Sequence, residues 1–125
     1  MRRIRGRNTA PEITVRSLLH RLGYRFRLHR RGLPGRPDIV LPRYGKLIFV
    51  HGCFWHGHKG CPRSKRPITN QAFWAKKIDA NIRRDRKVVL AAKHAGWDLL
   101  IVWQCETRDT KLLCRRLKEF LMAKQ

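Results

Sequence analysis

Two short apolar runs separated by one long helical stretch restrict the fold of this chain more than any other feature. Residues 46–50 form the first run and residues 98–103 the second, and apolar residues at helical spacing fill about 71–95 between them. A strand–helix–strand unit of this kind closes as a right-handed crossover with its strands parallel. The carboxyl ends of the two strands, at His51 and near Cys105, are therefore expected to lie side by side.

Capping residues, alternation and turn residues predict the other elements. Thr9 is a suitable N-cap, and Glu12 stands at the capping-box position three residues later. The remaining predicted elements are a helix to about residue 22, strands at 24–28 and 38–41, and a last helix at 110–122. This α-β-β-β-α-β-α order predicts an α/β fold with a mixed sheet flanked by helices. At 125 residues, we expect 1–125 to form a single domain.

The apolar pattern also predicts which residues are buried. The 98–103 strand is apolar almost throughout, which is typical of a strand covered on both faces. The long helix, with a break near Lys77 allowed, is expected to bury Phe73, Ile78, Ile82, Val89 and Ala92.

The charge of the chain indicates a polyanionic partner. Thirty Lys and Arg residues against eight Asp and Glu residues give a formal net charge of +22. The basic residues are spread over helices and loops, which favours nucleic acid over a membrane surface. The longest apolar runs, 88–92 and 99–103, are far below the roughly 20 residues that cross a bilayer. Residues 1–7 lack the apolar stretch of a signal peptide, so we expect a cytoplasmic protein.

The loop after the 46–50 strand carries the spacing of a metal site. Cys53, His58 and Cys61 offer three zinc ligands from one loop, and Cys105 at the neighbouring strand end is the expected fourth. Four protein ligands would close the site, so the zinc would be structural. Cys114 is interpreted as a buried thiol of the last helix, and its use as a ligand in place of Cys105 is the alternative.

Two histidines of the same loop and one carboxylate indicate phosphodiester chemistry. His51 and His56 suit acid–base work on water, and Asp38 can hold a divalent cation against a phosphate. Taken singly, each is more often a packed or solvated residue. A Pro-Asp pair, a hairpin and a catalytic side chain at the next strand end are typical of restriction-endonuclease-like nucleases. The usual acidic-x-Lys element is replaced here by residues 49–51, Phe-Val-His.

Five ordered motifs over nearly the whole chain resemble the very-short-patch repair endonucleases, the Vsr family. The motifs are GRPD at 35–38, FVHGCFWH at 49–56, FWAKKI at 73–78, NIRRD at 81–85, and GW at 96–97 leading to IVWQC at 101–105. The resemblance implies a restriction-endonuclease-like fold with structural Zn²⁺ and catalytic Mg²⁺.

The resemblance also implies roles for residues at the strand ends. Asp38 and the backbone carbonyl of Val50 would bind Mg²⁺, and His51 and His56 would be the catalytic histidines, either of which could be the base. A family member has Thr at the position of Val50. The backbone carbonyl of Val50 can still bind Mg²⁺, whereas any role of a threonine hydroxyl is lost. Glu12 matches an acidic residue near the active centre, and a helix cap is its alternative role. Gly60 lengthens the zinc loop by one residue.

Contacts with DNA are implied by the same resemblance. Phe54, Trp55 and Trp74 match aromatic residues that wedge into the duplex beside a mismatch, with core packing as the alternative. Met1 and Ile4 match an N-terminal arm, residues 1–8 here, that enters the opposite groove; a disordered basic tail is the alternative. Basic residues of the long helix are either phosphate contacts or a solvated face: Arg83, Arg84, Arg86 and Lys87.

The activity implied is Mg²⁺-dependent nicking of one strand 5′ to the T of T·G mismatches that arise from deaminated 5-methylcytosine. The implied setting is a monomer in the bacterial cytoplasm, at the nucleoid when bound to DNA. The implied partners are double-stranded DNA, mismatch-repair helper proteins and a cognate cytosine-5 methyltransferase. Two alternatives are a restriction-fold nuclease with another target and a non-catalytic zinc-stabilised nucleic-acid-binding protein.

Overall fold

The computed structural model describes residues 9–123, which form one four-stranded sheet with helices on its faces. The helices are α1 (Ala10–Arg21), α2 (Gln71–His94) and α3 (Thr110–Met122). The strands are β1 (Arg27–Leu28), β2 (Ile39–Leu41), β3 (Lys46–His51) and β4 (Asp98–Trp103). Short 3-10 turns lie at Pro42–Tyr44, Pro62–Ser64 and Gln104–Arg108.

The sheet is mixed, with the spatial order β1-β2-β3-β4. The β1–β2 and β2–β3 pairs are antiparallel, and β3 and β4 are parallel. The parallel register runs from Lys46 opposite Asp98 to His51 opposite Trp103. This confirms the predicted parallel pair, and it puts the loop after His51 beside the turn that contains Cys105.

Each face of the sheet packs against its own cluster of apolar side chains. Ile48 and Val102 face the cluster formed with Leu19 of α1 and Leu117 of α3. Leu47 and Phe49 face the opposite cluster, which contains Ala92 of α2. Because alternate residues of a strand point to opposite faces, the odd residues near the end of β3 are directed toward α2. His51 is one of these odd residues.

Three local predictions differ from the structure. The predicted 24–28 strand is only two residues long, and Tyr24 and Phe26 pack against the core outside it; His29 follows with a left-handed backbone, φ 47°, which ends the extended run. In β4 only Val102 is fully buried, because β4 forms one edge of the described sheet. Phe73 is 58% exposed in the first turn of α2, and that helix runs past Lys77 without a break.

Close contact with α2 sets the position of the segment before β2. Gly35 has φ +69°, and a Cβ atom there would lie 2.4 Å from Cγ1 of Val88. Only glycine combines that backbone conformation with this approach. The contact holds the chain against α2 just before Asp38, so Asp38 enters the sheet close to the carboxyl end of β3.

A buried lysine closes the opposite end of the sheet. The Lys46 ammonium donates to Asp98 Oδ2 and to the Ala123 carbonyl, at 3.0 Å each, and lies 4.7 Å from the centroid of the Phe120 ring. These contacts join β3, β4 and the end of α3.

Within residues 9–123, no helix combines the length and the apolar character that a membrane span needs.

Candidate active site

Four sulfur and nitrogen donors meet where β3 and β4 end. One side-chain donor atom from each of Cys53, His58, Cys61 and Cys105 lies within 4.8 Å of the others. The Cys105 N–H donates to Cys53 Sγ at 3.4 Å, and the His58 ring stacks on Trp103 with centroids 4.1 Å apart. The parallel strands thus bring together residues about fifty positions apart. The arrangement has the donor types and number of a closed zinc site.

Cys114 lies away from this group. It is on α3 and packs against the core cluster of α1 and α3, but it is partly buried and not fully buried as predicted. In the described part of the chain, the four-donor group contains Cys105 and not Cys114.

Backbone contacts hold the loop between these donors in a tight conformation. The His58 N–H donates to the Cys53 carbonyl at 2.9 Å, and the Ser64 hydroxyl hydrogen-bonds the carbonyls of His58 and Cys61. Gly57 has φ +59°, and a Cβ atom there would lie 2.7 Å from Cδ1 of Ile82. The loop therefore touches α2 directly, which brings His56 to that helix.

Asp38 is a partly buried carboxyl group just before β2. Its Oδ2 atom accepts a 2.7 Å hydrogen bond from the Val50 N–H. Burial raises the pKa of Asp38 to about 7, against the opposing effect of that hydrogen bond, and the nearby charge of Glu12 raises it further. A carboxylate in this position gains stability when a cation approaches it.

His51 and His56 form a stacked pair beside a second carboxylate. Their ring centroids are 3.8 Å apart and the rings are nearly parallel, at 8°. His56 Nδ1 lies 2.7 Å from Asp85 Oδ2, within hydrogen-bond distance, whereas His51 Nδ1 is 4.0 Å from the same oxygen. Burial, and then the neighbouring His56, lower the pKa of His51 to about 4, so His51 is neutral at pH 7.

The sequence analysis assigned no role to Asp85. It belongs to the NIRRD motif, and it is the lone acid in a run of basic residues from Arg83 to Lys87. The single carboxylate within this basic run could have identified Asp85 as a site residue, because a basic face that only contacts solvent or phosphate does not require an acidic residue.

These groups line two adjoining clefts. Asp38, Asp85 and Arg84 line one of about 250 Å³, and Glu12, Phe54 and Trp55 line one of about 470 Å³. Val50, His51 and His56 line both. The histidine pair therefore stands between Asp38 and Asp85 on one side and the aromatic residues with Glu12 on the other.

Glu12 is both a helix-end residue and a member of this site. Its backbone N–H donates to the Thr9 hydroxyl at 3.4 Å, as the predicted N-cap requires. Its side chain is almost fully buried, pairs with Arg16, and lies 2.7 Å from His29 Nε2. The Thr9 half of the predicted capping box is thus present, and the Glu12 carboxylate is directed to Arg16 and His29. His29 had no place among the predicted site residues.

The first half of the chain, residues 1–63, matches the family model described as DNA mismatch endonuclease Vsr. The chain belongs to the Vsr family. It is 50% identical over 121 residues to the type II nicking enzyme V.XorIIP of Xanthomonas oryzae pv. oryzae, covering 97% of this chain and 88% of that protein. It is 43% identical over 126 residues to the DNA mismatch endonuclease Vsr of Escherichia coli, covering 97% of this chain and 80% of that protein. The type II nicking enzyme V.NmeAIP of Neisseria meningitidis is 39% identical over 115 residues, with coverages of 92% and 81%.

The aromatic residues assigned to DNA by the Vsr resemblance form one group. Phe54, Trp55 and Trp74 have ring centroids 5.2 to 5.6 Å apart, and Phe73 lies 5.0 Å from Trp74. Trp55 is 37% exposed and Phe73 more so. The group therefore presents apolar rings at the surface, and Phe73 is a further member that the sequence analysis placed in the core.

The other DNA contacts expected of a Vsr-family protein divide into two sets. Met1 and Ile4 of the predicted arm lie outside the described residues. Of the basic residues on α2, Arg84 lines the cleft with Asp38, and Arg86 lines a surface cleft beside the cysteine loop. These two arginines adjoin the site.

Proposed function

We propose that this chain is a single-domain DNA endonuclease of restriction-endonuclease-like fold that nicks one strand 5′ to the T of T·G mismatches in the presence of Mg²⁺. One observation carries the proposal: the partly buried Asp38 and the His56–Asp85 pair line one cleft. Membership of the Vsr family supports the same activity. The expected setting is the bacterial cytoplasm, at the nucleoid, where a cytosine-5 methyltransferase creates the mismatch precursor and helper proteins complete repair.

Asp38 and the Val50 carbonyl are the residues that would hold Mg²⁺. The fit rests on Asp38: burial raises the pKa of its carboxyl group, and within residues 9–123 the Val50 N–H donates to one of its two oxygens. Oxygen ligands are those that Mg²⁺ prefers. When bound, the cation supplies Lewis-acid stabilisation of charge on the scissile phosphate.

His56 is the residue we assign as general base. Its Nδ1 atom lies against Asp85, which favours the tautomer that donates from Nδ1 and leaves Nε2 as the proton acceptor. Asp85 then stabilises the imidazolium that forms when His56 takes a proton from the attacking water. His51, with a pKa of about 4, is too weak a base for this step at neutral pH.

His51 is assigned to orienting the water. Its Nδ1 atom is buried and has no hydrogen-bond partner within residues 9–123. A neutral imidazole stacked on His56 can hold a water next to the base without competing for its proton. Arg84, in the same cleft, is placed to bind a phosphate oxygen.

Cys53, His58, Cys61 and Cys105 are proposed to hold a structural zinc ion. Four protein ligands leave no open position, so this ion would take no part in hydrolysis. Its effect is to fix the loop that carries His56 and Phe54. Protein purified without chelator is expected to contain about one equivalent of zinc, and less than half an equivalent would count against the site.

Phe54, Trp55 and Trp74 are proposed to stack into the duplex beside the mismatch, with Met1 and Ile4 approaching from the other groove. Separating a base step costs on the order of a few kcal/mol, and less where a mismatch already weakens the stack. The difference between these two costs provides selectivity for mismatched sites.

The test uses short duplexes that carry T·G or T·A at one position, incubated with and without Mg²⁺, with both strands resolved. The proposal expects nicking 5′ to the T in the T·G duplex alone, dependent on Mg²⁺ and lost in Asp38→Ala and His56→Ala. Asp79→Ala, which removes an exposed carboxylate of α2, is the control that should retain activity. Equal nicking of both duplexes would indicate a restriction-fold nuclease with another target. No nicking by folded, zinc-loaded protein would favour a non-catalytic binding protein.

A further inference from the structure

His29 is held next to Asp38 by its backbone. Its N–H donates to the Asp38 carbonyl at 3.2 Å, and its φ of 47° lies in the left-handed region. That conformation is unfavourable for a residue with a side chain, although histidine tolerates it better than most. Backbone strain of this kind persists only where surrounding contacts enforce it, and it occurs often at functional sites.

The imidazole of His29 points a nitrogen at the Glu12 carboxylate without forming a hydrogen bond. Nε2 lies 2.7 Å from Glu12 Oε2, yet this buried nitrogen has no partner of hydrogen-bond geometry in the described part of the chain. Buried polar atoms are seldom left in this state. The same Glu12 oxygen also pairs with Arg16, and an imidazole nitrogen left this close to a carboxylate without a hydrogen bond is suited to share a third partner with it.

Asp38 completes a set of three donors. One nitrogen of His29, one oxygen of Glu12 and one oxygen of Asp38 lie within 4.8 Å of one another. The cation at such a point would meet two carboxylates and one imidazole. Mg²⁺ prefers ligands that are all oxygen, whereas an imidazole nitrogen raises the affinity for divalent transition metals.

We propose that His29 is a nitrogen ligand for the divalent cation of the nicking site, together with Asp38 and Glu12, and that it makes the site prefer Mn²⁺ to Mg²⁺. The inference rests on the proposed function, since Asp38 is the ligand both have in common. It adds a metal-selecting residue that follows β1 to a site whose other groups come from α1, from the residue before β2, from the end of β3 with its loop, and from α2.

The test measures Mn²⁺ binding directly, without DNA. Mn²⁺ lies at the weak end of the transition-metal series and is poorly matched to thiolates, so it is not expected to replace zinc in the cysteine cluster. Electron paramagnetic resonance of free and bound Mn²⁺ provides the affinity, and pulsed measurements report nitrogen bound to the ion. Mg²⁺ affinity follows from competition with Mn²⁺. The variants are His29→Gln, Asp38→Ala, His51→Gln and, as a matched control, His20→Gln at an exposed position of α1.

We expect His29→Gln to lose the nitrogen signal and to bind Mn²⁺ at least about tenfold more weakly, while Mg²⁺ affinity changes less than about twofold. His20→Gln and His51→Gln should keep both the signal and the affinity. A nitrogen signal that survives in His29→Gln, or an equal loss of Mg²⁺ affinity, would overturn the assignment. If Mn²⁺ binds Asp38→Ala as well as the parent chain, the proposed nicking site itself is wrong. Loss in Asp38→Ala with no change in His29→Gln would overturn this inference alone.

Discussion

The two polar clusters at the carboxyl ends of β3 and β4 differ in how their side chains are arranged: one converges on a point, and the other lines an open cleft. In the cysteine cluster, four soft donors converge on one point, and three of them come from a single loop. In the proposed catalytic cluster, Asp38, His51, His56 and Asp85 line an open cleft and come from three separate segments, because the two histidines share the end of β3 and the loop after it. Burial raises the pKa of Asp38 and lowers that of His51, so the charged forms of both side chains are disfavoured in this cluster. One cluster is built to be closed, and the other to receive a cation, a water and a phosphate.

The two clusters are also mechanically joined. His56 belongs to the catalytic cluster, and His58, two residues later, belongs to the cysteine cluster. Gly57 between them lies against Ile82 of α2. The cysteine cluster therefore holds the loop that carries His56, the proposed base. A substitution in the cysteine cluster is expected to disrupt both clusters. A substitution in the proposed catalytic cluster should leave the cysteine cluster intact.

Removal of one cysteine ligand should have the largest effect. Structural zinc contributes on the order of 10 kcal/mol to folding in small zinc domains, about as much as the whole stability of a typical domain. Cys105→Ala is thus expected to lose zinc and most of its folded population at 37 °C, as followed by circular dichroism and metal analysis. Cys114→Ala, the matched control on α3, should keep zinc and lose only about 1 kcal/mol. Equal zinc contents in the two variants would contradict the ligand set.

Loss of the proposed base should abolish most activity and leave the fold unchanged. His56→Ala is expected to slow single-turnover nicking by about 10² to 10⁴-fold, the usual contribution of a general base. Zinc content and thermal stability should stay near those of the parent chain, because His56 is outside the four-donor group. A loss below about tenfold would exclude His56 as the base.

Replacement of the carboxylate behind His56 should have a smaller effect. Asp85→Asn keeps the size of the side chain and removes its charge, so the imidazolium loses stabilisation and the wrong tautomer gains population. We expect nicking to slow by roughly 10- to 100-fold, since Asp85 is partly exposed and water can replace some of its effect. Asp79→Asn on the same helix, paired with Arg66 at the surface, should be nearly neutral. Similar rates for both variants would remove Asp85 from the mechanism.

The smallest predicted effect is a pH dependence of Mg²⁺ affinity. Below a pKa of about 7 the Asp38 carboxyl carries a proton that the cation must displace, so the Mg²⁺ affinity should fall about fivefold from pH 7 to pH 6. Above pH 7 the affinity should level off. His51, with a pKa of about 4, should contribute nothing in this range. Calorimetry in buffers of different ionisation enthalpy would count the released proton, and a flat affinity between pH 6 and 7 would contradict the assignment to Asp38.

Some residues could be placed from sequence because local rules determine their surroundings. A helical crossover makes β3 and β4 parallel, so the sequence alone could pair Cys105 with the loop of Cys53. Thr9 was recognisable as an N-cap because its pattern spans only four residues. Phe73 was misplaced because it lies in the first turn of α2, beyond the part of the helix that crosses the sheet.

Other residues could not be placed because they depend on how whole elements pack. Helical periodicity says that Asp79 and Asp85 are both on α2, but it cannot tell which of them faces the loop of His56. His29 follows a two-residue strand, and its distance from Glu12 depends on how α1 lies against that strand.

The sequence by itself determined the strand–helix–strand unit and the four-donor set, which follow from spacing and element order, and the membership of the Vsr family, which follows from similarity of ordered motifs. Only the tertiary structure decided that Asp85 lies 2.7 Å from His56, that burial raises the pKa of Asp38 to about 7, and that a nitrogen of His29 lies near the carboxylates of Glu12 and Asp38. The physical reason is that burial and hydrogen-bond distance are properties of packed surfaces, and side chains from distant segments acquire them only when those surfaces meet.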